Sequence, residues 1–174
     1  MSASRFLGSG LARTGLVPVA GRYRAKVIGN GLRELDRFLS VLLDEVVLAA
    51  GWGDADLRMF GRLRNTANKW EAISVRLGLP THDLARLRAL GRCRGSLFYC
   101  DGVVRRGDTR QGRTLTLGWP TDGEDSGADV VLTLGECLAI GPAELAWVCA
   151  FYTRIGNDLA QGPHYQRASV NQPD

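Results

Sequence analysis

Three consecutive segments between Gly31 and Tyr99 repeat their apolar residues in steps of three and four. That period, more than any other feature, restricts the chain to amphipathic helices packed side by side. In the first segment, Gly31 to Ala50, the stripe is Leu32, Leu35, Leu39, Leu42 and Val46, and Phe38, Leu43 and Val47 broaden it to a buried face. Glu34 and Asp36 fall in its first turn, where the helix dipole favours negative charge. Gly51-Trp52-Gly53 stops it, and Asp54 is a good N-cap for a second helix predicted over 54–77. The stripe there is Leu57, Phe60, Leu63, Ala67, Trp70, Ile73 and Leu77. Gly78-Leu79-Pro80 breaks the pattern, and Thr81 caps a third helix with Asp83 in its first turn. Leu84, Leu87, Leu90, Cys93 and Leu97 are its core face, while Arg86, Arg88, Arg92 and Arg94 occupy other faces. Connections of about three to six residues place successive helices antiparallel.

At Asp101-Gly102 the helical period stops, and a period of two replaces it. Leu115, Leu117 and Trp119 alternate within 113–119, and Val130, Leu132 and Leu134 alternate within 129–134, so both segments are predicted strands. The polar, turn-forming stretch between them makes a hairpin, which must lean on the helices because an isolated hairpin is marginal. Gly141-Pro142 opens a last helix with Leu145, Val148, Cys149, Tyr152, Ile155 and Leu159 inward. The expected fold is therefore mainly α: a four-helix bundle with a β-hairpin, at about 113–134, inserted before the last helix. Residues 1–30 read as a basic flexible arm, 31–160 as a single domain and 161–174 as a flexible tail.

A chain of 174 residues with 45% apolar content suits one domain with a substantial core. Nothing approaches the run of about 18 apolar residues that a membrane span needs. Cys93, Cys100, Cys137 and Cys149 form no CxxC pair, and 93 and 100 on one helix stand about 10 Å apart along its axis, too far to bridge. With only His82 and His164 besides, no closed metal site and no cofactor are expected, and the thiols read as buried small hydrophobes in a reducing compartment. Charge is segmented. Residues 58–113 carry thirteen basic against four acidic residues, whereas 34–57 carry one against six and 114–174 two against eight. Such a basic middle is either a polyanion site or one half of an internal charge pairing.

The order of elements, with Arg94-Gly95-Ser96-Leu97-Phe98-Tyr99 near the end of the third helix, resembles the HEPN family of small helical domains. Many members of that family are dimeric RNA-cleaving toxins or stress and defence nucleases. Their signature is an arginine, a polar residue, three more residues and a histidine. Here Arg94 matches, Gly95 stands in place of the polar residue and Tyr99 in place of the histidine. The resemblance implies a homodimer directed at RNA, with Arg94 on phosphate and Tyr99 stacking or hydrogen-bonding, and the reducing compartment read from the thiols makes the expected location cytoplasmic. Arg64, Asn65, Arg92, Arg105 and Arg106 would extend the groove. Arginine suits a phosphorane's charge, but tyrosine is a far poorer base at neutrality than histidine, so nuclease activity is expected to be weak or lost. The competing expectation is a scaffold or regulatory protein-interaction domain without a nucleic-acid role. In that case Arg94 is a surface cation favoured by the helix C-terminus, and Tyr99 is a core residue. The remaining arginines would pair with acids of the first helix and the hairpin.

Overall fold

The computed structural model describes residues 22–120 and 129–161. Within them lie five helices and one hairpin: α1 (Arg22–Ala49), α2 (Asp54–Gly61), α3 (Thr66–Leu77), α4 (Leu84–Tyr99), β1 (Thr114–Thr116), β2 (Val131–Thr133) and α5 (Pro142–Gln161). The mainly helical class and the hairpin before the last helix are as expected. Expectations for the start of the basic arm, the hairpin loop and the tail lie outside the described residues. Among the described residues no helix is long and apolar enough to cross a membrane.

Two element boundaries differ from expectation. α1 begins at Arg22, nine residues before the expected start, so part of the presumed arm is helix with Ala25 and Ile28 buried. The second predicted helix is two, because the chain leaves the helical path between Gly61 and Asn65. Arg62 N–H donates to the Met59 carbonyl (3.2 Å) and Leu63 N–H to that of Phe60 (2.9 Å), the tighter i→i−3 closure of a helix end. Asn65 is then extended (φ −106°, ψ 126°) and its Oδ1 accepts from Ala67 N–H (2.8 Å), capping α3. The apolar stripe persists across the break, which is why periodicity alone concealed it.

The chain groups into two compact units. The first contains the start of α1, the larger part of α4, the hairpin and the start of α5. Its core joins Ala89, Leu90, Cys93 and Leu97 of α4 to Leu115, Leu117 and Trp119 of the hairpin, with Val104, Leu138, Ile140 and Val148. β1 and β2 pair antiparallel, Leu115 opposite Leu132, and backbone bonds from Leu117 to Val130 and from Leu134 to Arg113 continue the ladder past both ends. Val103 bridges Cys137, so a short third segment extends the hairpin. Trp119 is fully buried and its indole N–H donates to the Ala139 carbonyl (3.1 Å). Gly118 lets the hairpin reach α4: a Cβ there would sit 2.8 Å from the Cα of Leu90.

The second unit contains the rest of α1, then α2, α3, the start of α4 and the end of α5. Leu39, Leu43, Val46, Val47, Phe60, Trp70, Ile73, Leu87, Phe151, Ile155 and Leu159 are buried in it. Two charged groups are built into this core. Lys69 Nζ is held by Asp44 (2.6 and 2.7 Å) and Ser40 (3.0 Å) beneath the Phe60 ring. Asp83, just before α4, takes a two-pronged bond from Arg154 (2.7 and 3.0 Å). Burial also departs from expectation at several side chains, Cys100 among them, which is only half-buried. Phe38 is 65% exposed rather than buried, on an outward face of α1 that also carries Val41 and Leu48. Cys137 and Cys149 are exposed rather than small core hydrophobes, while Cys93 is buried as expected. Phe151 takes the inward position on α5 beside Tyr152.

Asp44→Ala leaves the buried Lys69 ammonium without its counter-charge, and a loss of about 2 kcal/mol is expected in urea unfolding. Asp44→Ala combined with Lys69→Met should recover most of that loss, because an apolar pair of similar bulk removes the desolvation cost.

Candidate nucleic-acid interface

The last two turns of α4 carry two kinds of face. Leu90, Cys93 and Leu97 turn inward, while Arg92, Gly95, Ser96 and Tyr99 recur at steps of three, one and three on another face. The helix ends where Cys100 and Gly102 N–H groups both donate to the Ser96 carbonyl (3.1 and 3.0 Å). Asp101 (φ 53°) and Gly102 (φ 85°) occupy the left-handed region that such a stop requires. The reversal brings the following loop back alongside the helix. Between them lies a cleft of about 410 Å³ lined by Arg92, Gly95, Ser96, Tyr99, Cys100, Arg106 and Gly107.

Asp108 anchors the loop side of this cleft. Its carboxylate accepts from the Thr116 N–H (3.0 and 3.1 Å) and the Thr116 hydroxyl (2.6 Å). Its own N–H donates to the Thr114 carbonyl (2.8 Å). Arg92 Nε lies 2.7 Å from Asp108 Oδ1, an ion pair whose angle is too poor for a hydrogen bond. Gly107 is equally constrained, since a Cβ would fall 2.3 Å from the Gly112 carbonyl oxygen and 2.8 Å from that of Thr114. The Arg-Gly-Asp triplet at 106–108 is thus a loop clamp: the glycine gives closeness and the aspartate gives the anchor.

Charge is then unevenly available. Arg92 is offset by Asp108, whereas Arg106 is exposed and forms no ion pair among the described residues. The Tyr99 ring is 82% exposed and meets Phe98 edge-on (centroids 4.8 Å apart). Gly95 has no neighbour within 4 Å of where a Cβ would stand, so bare helix backbone faces open space there. The lining therefore offers an uncompensated cation, an open aromatic face, a hydroxyl, a thiol and exposed backbone. Those groups suit a phosphate next to a planar ring. No lining residue is a histidine, and among the described residues no three His, Cys, Asp or Glu side chains gather as a metal site.

Of the expected site residues, Arg92, Tyr99 and Arg106 meet in this cleft. Arg105 is exposed next to Arg106 without lining it. Arg94 is half-buried on another face of α4, roughly 140° around the helix from Tyr99. Arg64 and Asn65 belong to the second unit, where Asn65 is spent as the α3 cap and Arg64 is exposed beside it. Tyr99 does not take the core position of the competing expectation. Among the described residues Arg88 meets Glu71 and Arg92 meets Asp108, both inside the basic segment. Sequence reasoning missed Ser96, Cys100 and Gly107 as cleft residues. Ser96 and Cys100 were legible in principle, one helical turn apart and beside Tyr99. No protein-family model matches the chain, and no curated protein or solved structure is significantly similar to it.

Asp108→Ala removes three hydrogen bonds and the Arg92 ion pair at once. It should cost about 2–3 kcal/mol and raise amide hydrogen exchange at Thr116, while protection within α3 changes only by the global loss.

Proposed function

We propose that the chain is an HEPN-like, RNA-directed domain that binds single-stranded RNA in the cleft between α4 and the 106–108 loop. In this reading it is a cytoplasmic homodimer whose nuclease activity is weak or lost. The observation that carries the proposal is Tyr99, 82% exposed, in the same cleft as Arg106, which forms no ion pair among the described residues. An aromatic face and an adjacent cation are what a splayed base and its phosphate require. Loss of catalysis is supported by Tyr99 standing where the family's histidine would stand, and by Arg94 lying outside the lining of the cleft. A second reading, a scaffold or regulatory interaction domain, is favoured by Phe38, Val41 and Leu48, exposed together on one face of α1.

Fluorescence anisotropy with a labelled unstructured RNA across a salt series tests the first reading, with the mass of the same sample measured by light scattering. Affinity should fall linearly in log–log form as salt rises. Tyr99→Ala should weaken binding about tenfold, the scale of one stacking contact. Arg106→Ala should weaken it and reduce the salt slope by about one. Gly95→Met, which improves helix propensity while filling the cleft, should also abolish binding in a well-folded protein. Absence of binding at low salt overturns the RNA reading and leaves the interaction-domain reading.

A further inference from the structure

The break between α2 and α3 that the apolar period concealed opens a second cleft, of about 470 Å³, in the other unit. Trp52, Met59, Phe60 and Leu63 supply its apolar walls, and Asp56, Arg62 and Arg76 its charges. Two of those charges are already spent. Arg76 Nη1 stands 2.5 Å from Asp56 Oδ2, and the same guanidinium stacks over the Trp52 ring at 4.4 Å from its centroid. Phe60 meets Trp52 edge-on at 5.6 Å. The pair is neutral overall and serves as a wall. Arg62 differs: it is exposed, follows the last turn of α2, and forms no ion pair among the described residues. The cleft therefore presents apolar walls with a single uncompensated positive charge.

We propose that this cleft binds an amphipathic monoanion, a medium-chain alkanoate whose carboxylate meets Arg62 and whose chain lies along Met59, Leu63 and Trp52. A volume between about 300 and 1,000 Å³, a mostly apolar lining and few polar groups are the ordinary attributes of a small-molecule site. Charge fixes the head group. One free guanidinium pairs with one carboxylate through two parallel hydrogen bonds, whereas a polyphosphate would leave charge unmatched. The Trp52 face covered by Arg76 is closed to a stacking base, so this site is distinct in chemistry from the Tyr99 cleft. Exposure of Met59 at 65% lets the flexible thioether close over a bound chain.

Calorimetric titration of the full-length protein with sodium decanoate, below its micelle concentration and at low ionic strength, tests the assignment. 1-Decanol is the uncharged control of equal length. The expected result is saturable binding of one decanoate, with decanol at least about tenfold weaker. Arg62→Gln should weaken decanoate about tenfold and leave decanol unchanged, while Met59→Asp should abolish binding of both. Both side chains are exposed, so circular dichroism should show each variant folded. Tyr99→Ala should leave decanoate binding intact, which separates failure here from failure of the RNA reading. No saturable decanoate binding, equal affinity for decanol, or insensitivity to Arg62→Gln overturns the proposal.

Discussion

The carboxylate of Asp108 is the contact on which the basic cleft depends. A loop of exposed arginines has no reason of its own to hold one shape, because its charges repel and its side chains are well solvated. Asp108 gives it one by accepting the amide and hydroxyl of Thr116 and facing Arg92 of α4. One anion thereby ties helix, loop and strand. It also decides which arginine remains available, since offsetting Arg92 leaves Arg106 as the charge presented to a ligand.

The same division recurs in the second unit. Arg76 is neutralised by Asp56 and laid on Trp52, while Arg62 is left open. In each cleft a paired arginine acts as a wall, where its stem and planar head cover apolar or polar surface at little electrostatic cost. Under the proposed readings, the arginine without an ion pair among the described residues would be the ligand's counter-ion. The difference between the clefts then lies in the aromatic group. Tyr99 is largely exposed, whereas one face of Trp52 is already covered by the Arg76 guanidinium.

Much of this architecture was legible because helix and strand periods are properties of neighbouring residues. The stripes of α1, α3, α4 and α5, the stop at Asp101-Gly102 and the alternation around Leu115 and Leu132 needed no knowledge of distant contacts. The missing break after Gly61 is instructive for the opposite reason. Leu63 and Ala67 stay on the apolar side through a non-helical turn, so the stripe survives while the backbone does not. Asn65, read as part of a polar binding cluster, was the local cue to a cap. Phe38 and Cys149 failed through a different limit: a helix wider in apolar residues than its neighbours can cover leaves some outside, and which ones is a tertiary fact. The site was half legible. Arg92, Tyr99 and Arg106 follow from composition and spacing, but only the folded loop shows that Arg94 is turned away from them and that Asp108 is an anchor.

Each compact unit is assembled from pieces far apart in the chain: 22–31 with 89–149 in one, 32–88 with 150–161 in the other. The consequence concerns synthesis rather than binding. When the ribosome has released everything up to Arg88, neither unit possesses its full complement of core side chains. The first becomes complete only with Cys149 and the second only with the last turns of α5, after Ala150. Apolar side chains such as Trp70 and Ile73 precede by about eighty residues Phe151 and Ile155, which are buried in the same unit, and the unit's core stays incomplete until those are made. A stop anywhere in α5 therefore forfeits more of the fold than the residues it deletes, because both units draw core side chains from that helix.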